Sequence, residues 1–260
     1  MWKENLGGCS LVVMLNRILS VLVLLFSPLL AEEPVARYKI GVCIMATGSC
    51  EAQPCRLIES GRRFFCLGHD VTYFVFTDGA SLGAAKDVVK VRQSSLGYPY
   101  DALKRIHVYD DHTELFEKMD YIFAIDADMV FVAPVGEEVL SDLVAAQHPA
   151  FLRKRGDYEN KKISTAYVGP HEGKHYFTCS LFGGAKNQFL KLLKVVRKQV
   201  DTDLAKNFIS RWHDQSYLNR YFIDHPPTRI LNPSYCYPED WQLEFPKKLV
   251  ASCRSAPQLQ

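Results

Sequence analysis

The chain of 260 residues carries 31 Lys and Arg against 29 Asp and Glu, and 48% of its residues are hydrophobic. This length supports one large α/β domain or two small ones, and the apolar content excludes intrinsic disorder. A net charge of +2 gives no broad basic surface for nucleic acid, and the eight cysteines include no C-x-x-C pair of the kind that binds structural zinc.

The first 31 residues differ from the rest of the chain. The run from Ile18 to Leu30 is mostly apolar, and Lys3 and Arg17 precede it, a pattern typical of a secretory leader or an N-terminal anchor. A spanning helix needs about 20 apolar residues, a length that this run reaches only if Arg17 is included. Three explanations of these residues remain open: a cleaved leader, a signal anchor, or a translation start that has been assigned too far upstream. The first two predict an exported or membrane-associated protein, attached in the second case through residues 11–31.

The body of the chain begins with alternating strand and helix signals. A buried strand is predicted over Tyr38 to Met45, a helix over Leu57 to Leu67, and a second strand over Val71 to Thr77. A helix over Ala102 to Tyr109 leads to a third strand, Tyr121 to Ile125. This alternation favours parallel pairing and an α/β sandwich, in which ligands bind beyond the carboxyl ends of the strands.

The second half of the chain is less regular. Helical spacing is present over Glu138 to Gln147, Gln188 to Val200, and Asp214 to Phe222. Tight turns are predicted at Gly183-Gly184 and at Pro226-Pro227, because glycine and proline favour turn conformations.

Asp126-Ala127-Asp128 follows the third predicted strand directly. Two carboxylates separated by one residue at a strand end can face one hard divalent cation that also holds a diphosphate. Aspartates also commonly begin turns after strands, so this motif alone leaves both interpretations open. Arg105, on the preceding predicted helix, is by itself typical of an ordinary surface arginine.

The segment from Trp212 to Ser216 places an aromatic ring, an imidazole, a carboxylate and an amide at a predicted helix start. One interpretation is structural, with Asp214 as the helix N-cap and Trp212 in the core. The other is functional, with the indole stacked on a sugar ring and the polar groups bound to hydroxyls. The segment alone does not decide between them.

Six motifs follow one another along the body of the chain. They are YFVFTD at Tyr73–Asp78, DYIFAIDADM at Asp120–Met129, HP-x-F at His148–Phe151, S-x-AYV at Ser164–Val168, LFGG at Leu181–Gly184 and WHD-x-S-x-LN-x-Y at Trp212–Tyr221. In this order they resemble glycosyltransferase family 6, the group that contains the histo-blood-group A and B transferases and the α-1,3-galactosyltransferases. The resemblance extends from about Tyr38 to Arg254.

This resemblance implies an α/β protein with a GT-A glycosyltransferase fold. A single catalytic domain over residues 37–260 would join a Rossmann-like nucleotide-binding half to an acceptor-binding half. It implies transfer of galactose or N-acetylgalactosamine from a UDP-sugar, with Mn²⁺ as cofactor and retention of configuration. The product would be an α-1,3 linkage to a galactoside acceptor on a glycan or glycolipid. The location would be the Golgi lumen in a eukaryote, or the cell envelope in a bacterium.

The resemblance also assigns roles by position, with Asp126 and Asp128 as the metal ligands. The donor site would contain Met45, Ala46, Thr47, Arg105, Asp126, Ala127, Asp128, Thr178, Ser180 and Arg254. Among these, Thr178 and Ser180 would tune the choice of donor sugar, and Arg254 would cover the diphosphate. The acceptor site would contain His148, Trp212 and Gln215, and the candidate catalytic residues are Asp214 and Gln215.

The chain departs from the family pattern at two positions. Gln215 stands where the family carries a glutamate, and Cys50 stands where a uridine-stacking tyrosine is usual. Because an amide cannot act as a nucleophilic carboxylate or a base at any working pH, two alternatives remain. Either the acceptor attacks from the same face while Gln215 orients it, or the chain is an impaired member that binds UDP-sugar or glycan. A nicotinamide-dependent enzyme is set aside because no G-x-G-x-x-G follows Met45.

Overall fold

The computed structural model describes residues 36–48, 52–79 and 85–252. The described residues from Arg37 onward form one compact unit. The predictions on the leader, on Cys50 and on Arg254 lie outside the described residues. Within the described ranges, no helix is both long and apolar enough to cross a membrane.

A seven-stranded, mostly parallel sheet forms the centre of this unit. Its strands are β1 (Lys39–Met45), β2 (Asp70–Thr77), β3 (Val88–Arg92), β4 (Tyr121–Ile125), β6 (Leu143–Gln147), β7 (Phe177–Ala185) and β8 (Arg229–Leu231). Their order across the sheet is β3-β2-β1-β4-β7-β6-β8. Strand β1 pairs in parallel with both β2 and β4, and β7 runs antiparallel to its neighbours β4 and β6. A smaller sheet joins β5 (Met129–Phe131), β9 (Tyr237–Pro238) and β10 (Leu249–Ala251), with β10 between the other two.

Helices cover both faces of the large sheet. They are α1 (Ala52–Phe64), α2 (Tyr100–Leu103), α3 (Arg105–Asp110), α4 (Lys186–Leu204) and α5 (His213–Asp224). Alternate residues of β1 pack on opposite sides, as successive side chains of a strand must. Val42 and Ile44 join Leu57 of α1 in one buried cluster, and Cys43 joins residues of α3, α4 and α5 in the other. The observed architecture confirms the predicted α/β sandwich.

Most of the predicted elements are present, with small shifts at their ends. Strand β4 has the predicted bounds, and β1 and β2 each differ from prediction by one residue. The predicted helices near residues 188 and 214 are present as α4 and α5. The single helix predicted over Ala102 to Tyr109 is instead two short helices, α2 and α3, which are separated at Lys104.

The helix predicted over Glu138 to Gln147 is wrong. Glu137–Val139 forms a single 3-10 turn, and Leu143–Gln147 is strand β6. Leu143 through Ala146 are buried between the flanking strands β7 and β8. Helix-favouring residues such as alanine and leucine therefore adopt an extended conformation, because pairing with two neighbouring strands outweighs a weak local preference.

The turn predicted at Gly183-Gly184 is also wrong, because both glycines lie inside β7. Their φ angles are +158° and +135°. A Cβ atom on Gly183 would clash with the carbonyl oxygen of Ile122 and lie 2.7 Å from the Cα atom of Phe123. A Cβ on Gly184 would clash with the backbone of Asp142. The glycines are needed because the backbone on each side of β7 approaches closely.

We expect Gly183→Ala to destabilise the fold by about 2 kcal/mol more than Gly68→Ala, because overpacking between paired strands costs about 1–3 kcal/mol. Gly68 is the matched control, since its φ is +97° but no atom lies within 4 Å of the point that a Cβ would occupy. The control therefore reports the cost of the left-handed backbone alone. Urea unfolding of both variants measures the difference, and equal losses would contradict the close-approach explanation.

Candidate active site

A cavity of about 320 Å³ lies where the carboxyl ends of β1 and β4 meet. It is lined by Met45, Thr47, Gln53, Asp101, Ala102, Arg105, Asp126, Ala127 and Asp128. The parallel pairing of β1 with β4 thus brings together two segments that are about 80 residues apart in the chain. Ala46, between Met45 and Thr47, is 5% exposed and its carbonyl accepts a hydrogen bond from the Thr77 hydroxyl, but it is not among the lining residues.

Arg105 connects four segments of the chain at this cavity. Its Nε donates to a carboxylate oxygen of Asp214 at 2.6 Å, and its Nη1 donates to Asp126 at 2.5 Å. Its Nη2 donates to the carbonyl oxygen of Cys179 at 2.7 Å. The side chain is buried, whereas the sequence alone was typical of a surface arginine. The guanidinium therefore joins helix α3 to the residue after β4, to β7 and to the first turn of α5.

The carboxylates around Arg105 outnumber the positive charge. Burial raises the pKa of Asp128 to about 6, and the neighbouring charge of Asp126 contributes to that rise. Burial also raises the pKa of Asp214, although Arg105 opposes that shift. One guanidinium therefore faces three carboxyl groups, an arrangement that a divalent cation would stabilise by neutralising the remaining negative charge.

The backbone fixes the two aspartates of the D-x-D motif at the cavity. The Asp126 amide donates to the Ser180 carbonyl at 3.1 Å, and the Met129 amide donates to the Asp126 carbonyl at 3.1 Å. The Ser252 amide donates to the Asp128 carbonyl at 3.1 Å, so the C-terminal segment reaches this motif. Within the described ranges, no three His, Cys, Asp or Glu side chains converge as a metal site. The two aspartates would therefore supply only part of a cation's ligands.

Asp101 is a site residue that the sequence reasoning missed. Its carboxylate accepts hydrogen bonds from the Thr47 hydroxyl at 3.0 Å, the Leu96 amide at 2.8 Å and the Ser95 hydroxyl at 2.7 Å. Burial opposes ionisation of Asp101, but these hydrogen bonds outweigh it and lower its pKa. An aspartate near a helix start carries no recognisable motif, so only the position of α2 beside β1 identifies it. Gln53 was missed for the same reason.

Thr178 and Ser180 lie beside the D-x-D motif, on strand β7. Their hydroxyl oxygens are 3.0 Å apart, because alternate residues of a strand share one face. Thr178 is buried and Ser180 is half-buried. The Ser180 carbonyl accepts the Asp126 amide at 3.1 Å, so the backbone of this part of β7 adjoins the D-x-D motif.

His148 lies in an aromatic cluster beyond β6. Its ring is 5.0 Å from that of Phe151 and 5.7 Å from that of Tyr176, and its Nδ1 accepts from the Ala150 amide at 3.2 Å. Burial lowers the pKa of His148, which favours the neutral imidazole. A second cavity, of about 460 Å³, adjoins this cluster and is lined by residues 149–150, 152–154 and 242–245.

The segment at the start of α5 divides its side chains between core and surface. Asp214 is buried and paired with Arg105, and it lies inside the helix rather than at its N-cap, which is Trp212. Trp212 is 44% exposed, so of the two interpretations left open for this segment, the one that places Trp212 in the core does not hold. Its indole Nε1 donates to Asp157 at 3.0 Å. His213 has a φ of +47° and its ring contacts that of Tyr98 at 5.3 Å.

The S-x-AYV motif anchors the chain rather than lining the cavity. The Ser164 hydroxyl donates to the buried carboxylate of Asp203 at 2.5 Å, and the Thr165 amide donates to the same group at 2.9 Å. The Tyr217 hydroxyl of α5 also donates to Asp203 at 3.1 Å. Asp203 therefore joins this segment and α5 to the end of α4.

The model of glycosyltransferase family 6 matches residues 29–256 of the chain. Globoside α-1,3-N-acetylgalactosaminyltransferase 1 of Mus musculus is 31% identical over 213 residues, which are 77% of this chain and 61% of that protein. Histo-blood group ABO system transferase 1 of Rattus norvegicus is 33% identical over 192 residues, 69% of this chain and 55% of that protein. Alpha-1,3-galactosyltransferase 2 of Homo sapiens is 27% identical over 234 residues, with coverage of 83% and 68%. The chain thus spans about three fifths of the length of the first of these relatives.

Proposed function

The chain belongs to glycosyltransferase family 6, and we propose that it moves galactose or N-acetylgalactosamine from a UDP-sugar to a galactoside acceptor. The new bond is an α-1,3 linkage, formed with retention of anomeric configuration. The observation that carries this proposal is the cavity lined by Arg105, whose guanidinium pairs with both Asp126 and Asp214. It provides a candidate diphosphate site beside the Trp212 segment.

The donor occupies the cavity between β1 and β4. Uridine lies against Met45 and Thr47 above Ala46, and the transferred sugar faces Thr178 and Ser180. Asp126 and Asp128, on either side of Ala127 in the sequence, would hold Mn²⁺. When bound, that ion neutralises the negative charge that develops on the departing diphosphate. The excess of carboxylates over guanidinium at this point supports the fit of a cation.

Arg105 and Arg254 complete the charge balance of the donor site. Arg105 keeps Asp126 and Asp214 in fixed positions through buried ion pairs. Arg254 contributes a second positive charge to the diphosphate from the C-terminal segment, which Ser252 joins to the Asp128 carbonyl. A positive group that is fixed before the reaction, as Arg105 is by its ion pairs, lowers the cost of the leaving charge without further reorganisation.

The acceptor lies outside the donor cavity, against the exposed indole of Trp212 and near His148. The apolar face of a sugar ring stacks on the indole, and the remainder of the acceptor glycan extends into the 460 Å³ cavity beside His148. The bond from the anomeric carbon to the diphosphate breaks with its electron pair on the diphosphate oxygen. The acceptor hydroxyl oxygen bonds to that carbon from the same face and its proton passes to the diphosphate.

We place the enzyme in the Golgi lumen of a eukaryotic cell, with residues 11–31 as its membrane anchor. The apolar run after Lys3 and Arg17 supports this location. The relatives named above are transferases from animals, which supports both the eukaryotic setting and active transfer over an impaired binding protein.

The decisive experiment is sugar transfer in vitro. We expect the full chain to transfer radiolabelled sugar from UDP-galactose or UDP-N-acetylgalactosamine to a panel of β-galactosides when Mn²⁺ is present. Chromatography of the products and release of UDP measure the reaction. UDP binding by calorimetry without transfer or UDP release, with every donor and acceptor tested, would instead support the impaired family member.

A further inference from the structure

Gln215 uses both ends of its side-chain amide within the protein. Its Oε1 accepts a hydrogen bond from the Cys179 amide at 3.2 Å, and its Nε2 donates to the Tyr176 hydroxyl at 3.0 Å. Cys179 lies on β7 between Thr178 and Ser180. The amide therefore binds helix α5 to the strand that we place beside the transferred sugar.

The direction of these hydrogen bonds determines which residue type fits at position 215. The Tyr176 hydroxyl donates its one proton to the carbonyl oxygen of Asp157, at 3.2 Å. A carbonyl only accepts, so the Tyr176 oxygen offers a lone pair to residue 215. The Cys179 amide, in contrast, only donates. Position 215 must therefore supply one donor and one acceptor, as a glutamine does, whereas an ionised glutamate supplies acceptors alone.

The same set of hydrogen bonds holds the exposed indole. The Asp157 carboxylate accepts from Trp212 Nε1 at 3.0 Å and pairs with Arg211 at 2.9 Å. The Asp157 carbonyl is the group that accepts from Tyr176. One residue thus fixes Trp212 through its side chain and orients the Tyr176 hydroxyl through its backbone.

Asn219, one turn further along α5, completes the attachment to β7. Its side-chain amide donates to the carbonyls of Phe177 and Gln215, each at 2.9 Å, and its oxygen accepts from the Phe177 amide at 2.8 Å. Gln215 and Asn219 together bind β7 at Phe177 and Cys179. Thr178 therefore lies between the two attachment points, and Ser180 directly follows the second one.

We propose that Gln215 is a positioning residue whose amide sets the donor-acceptor pattern of this network and so fixes Trp212 relative to Thr178 and Ser180. This inference rests on the proposed function, and it makes the glutamine an adapted residue rather than the remnant of a lost nucleophile. Its role is to keep the acceptor surface and the donor-sugar surface at one separation.

The test is the variant Gln215→Glu, assayed for transfer over a range of pH. At neutral pH we expect kcat to fall by roughly tenfold. A carboxylate at position 215 can only accept, so the Tyr176 hydroxyl would have to donate to it and give up its hydrogen bond to the Asp157 carbonyl. As the pH falls, the ratio of variant to wild-type kcat should rise towards one. A protonated carboxyl again supplies one donor and one acceptor.

The groups that face position 215 are present in both proteins, so the ratio cancels their own titration. They are Tyr176, Cys179, Asp157 and, through the neighbouring residue, Asp214 with Arg105. Gln188→Glu, on α4, is the matched control for the added charge and should show a ratio near one at every pH. In a Tyr176→Phe background the penalty of Gln215→Glu should shrink, because the competing hydroxyl is gone.

Two outcomes separate this inference from the proposed function. A Gln215→Glu variant that is as fast as or faster than wild type at neutral pH overturns the positioning role and identifies the glutamine as a lesion. Thermal unfolding reports on the network without any transfer. A melting temperature that Gln215→Glu lowers at neutral pH and that recovers at low pH supports positioning even if the wild type transfers no sugar, in which case only the proposed function fails.

Discussion

Replacing Arg105 with methionine is expected to cost about 3–5 kcal/mol of the free energy of unfolding and to abolish sugar transfer. The substitution leaves Asp214, which is 3% exposed, without its charged partner. It also removes the hydrogen bond to the Cys179 carbonyl. The residue after β4, strand β7 and the first turn of α5 would each lose a hydrogen bond or ion pair to Arg105.

Chemical denaturation of Arg105→Met and Arg197→Met measures this effect against a matched control. Arg197 pairs with Asp110 and Asp111 near the surface, where an ion pair contributes at most about 1 kcal/mol. Arg105→Lys should also lack transfer activity, because an ammonium cannot form the same planar set of hydrogen bonds as a guanidinium. Similar small losses for both arginines would show that the ion pairs of Arg105 do not hold the site together.

Asp128→Asn is expected to reduce Mn²⁺-dependent transfer by at least about 100-fold, with little change in stability. The substitution keeps the shape of the side chain but removes one of the two charges that would hold the cation. A bound cation stabilises the developing charge by several kcal/mol, and each 1.36 kcal/mol is a tenfold change in rate. Because burial and Asp126 raise the pKa of Asp128, the neutral amide should not destabilise the fold.

Mn²⁺ binding, followed by electron paramagnetic resonance, tests this expectation separately from activity. Wild type should bind the ion in the presence of UDP, and Asp128→Asn should bind it at least about tenfold more weakly. Asp142→Asn, at an exposed position before β6, is the control for loss of one negative charge. If Asp128→Asn binds Mn²⁺ as the wild type does, the D-x-D motif is a turn and not a metal site. Chelation with EDTA should likewise remove activity, and added Mn²⁺ should restore it.

The sequence placed the D-x-D motif correctly because the strand before it is continuous and apolar. Every residue from Ile122 to Ile125 is buried, and such a run followed by Asp126 has few alternatives to a central strand with a turn at its end. The same reasoning located β1, so the cavity between them could be anticipated from the rule that parallel strands end at one edge.

Other positions could not be assigned from local sequence. The helix predicted over Glu138 to Gln147 became β6, and the glycine turn became the interior of β7. In both cases the deciding interactions come from distant residues, such as Ile122 beside Gly183. Local preference amounts to a few tenths of a kcal/mol per residue, which pairing and burial override.

The sequence by itself therefore determined the fold class, the family and the two aspartates at the end of β4, because buried strands and ordered motifs are local signals. Only the tertiary structure decided that Arg105 is buried between Asp126 and Asp214 and that Asp101 lines the cavity. It also decided that the side-chain amide of Gln215 is hydrogen-bonded to Tyr176 and Cys179. Those roles depend on hydrogen-bond direction and charge pairing between segments about 20 to 110 residues apart. Such pairings exist only once the chain has folded, so residue type and spacing do not encode them in any form that can be read locally.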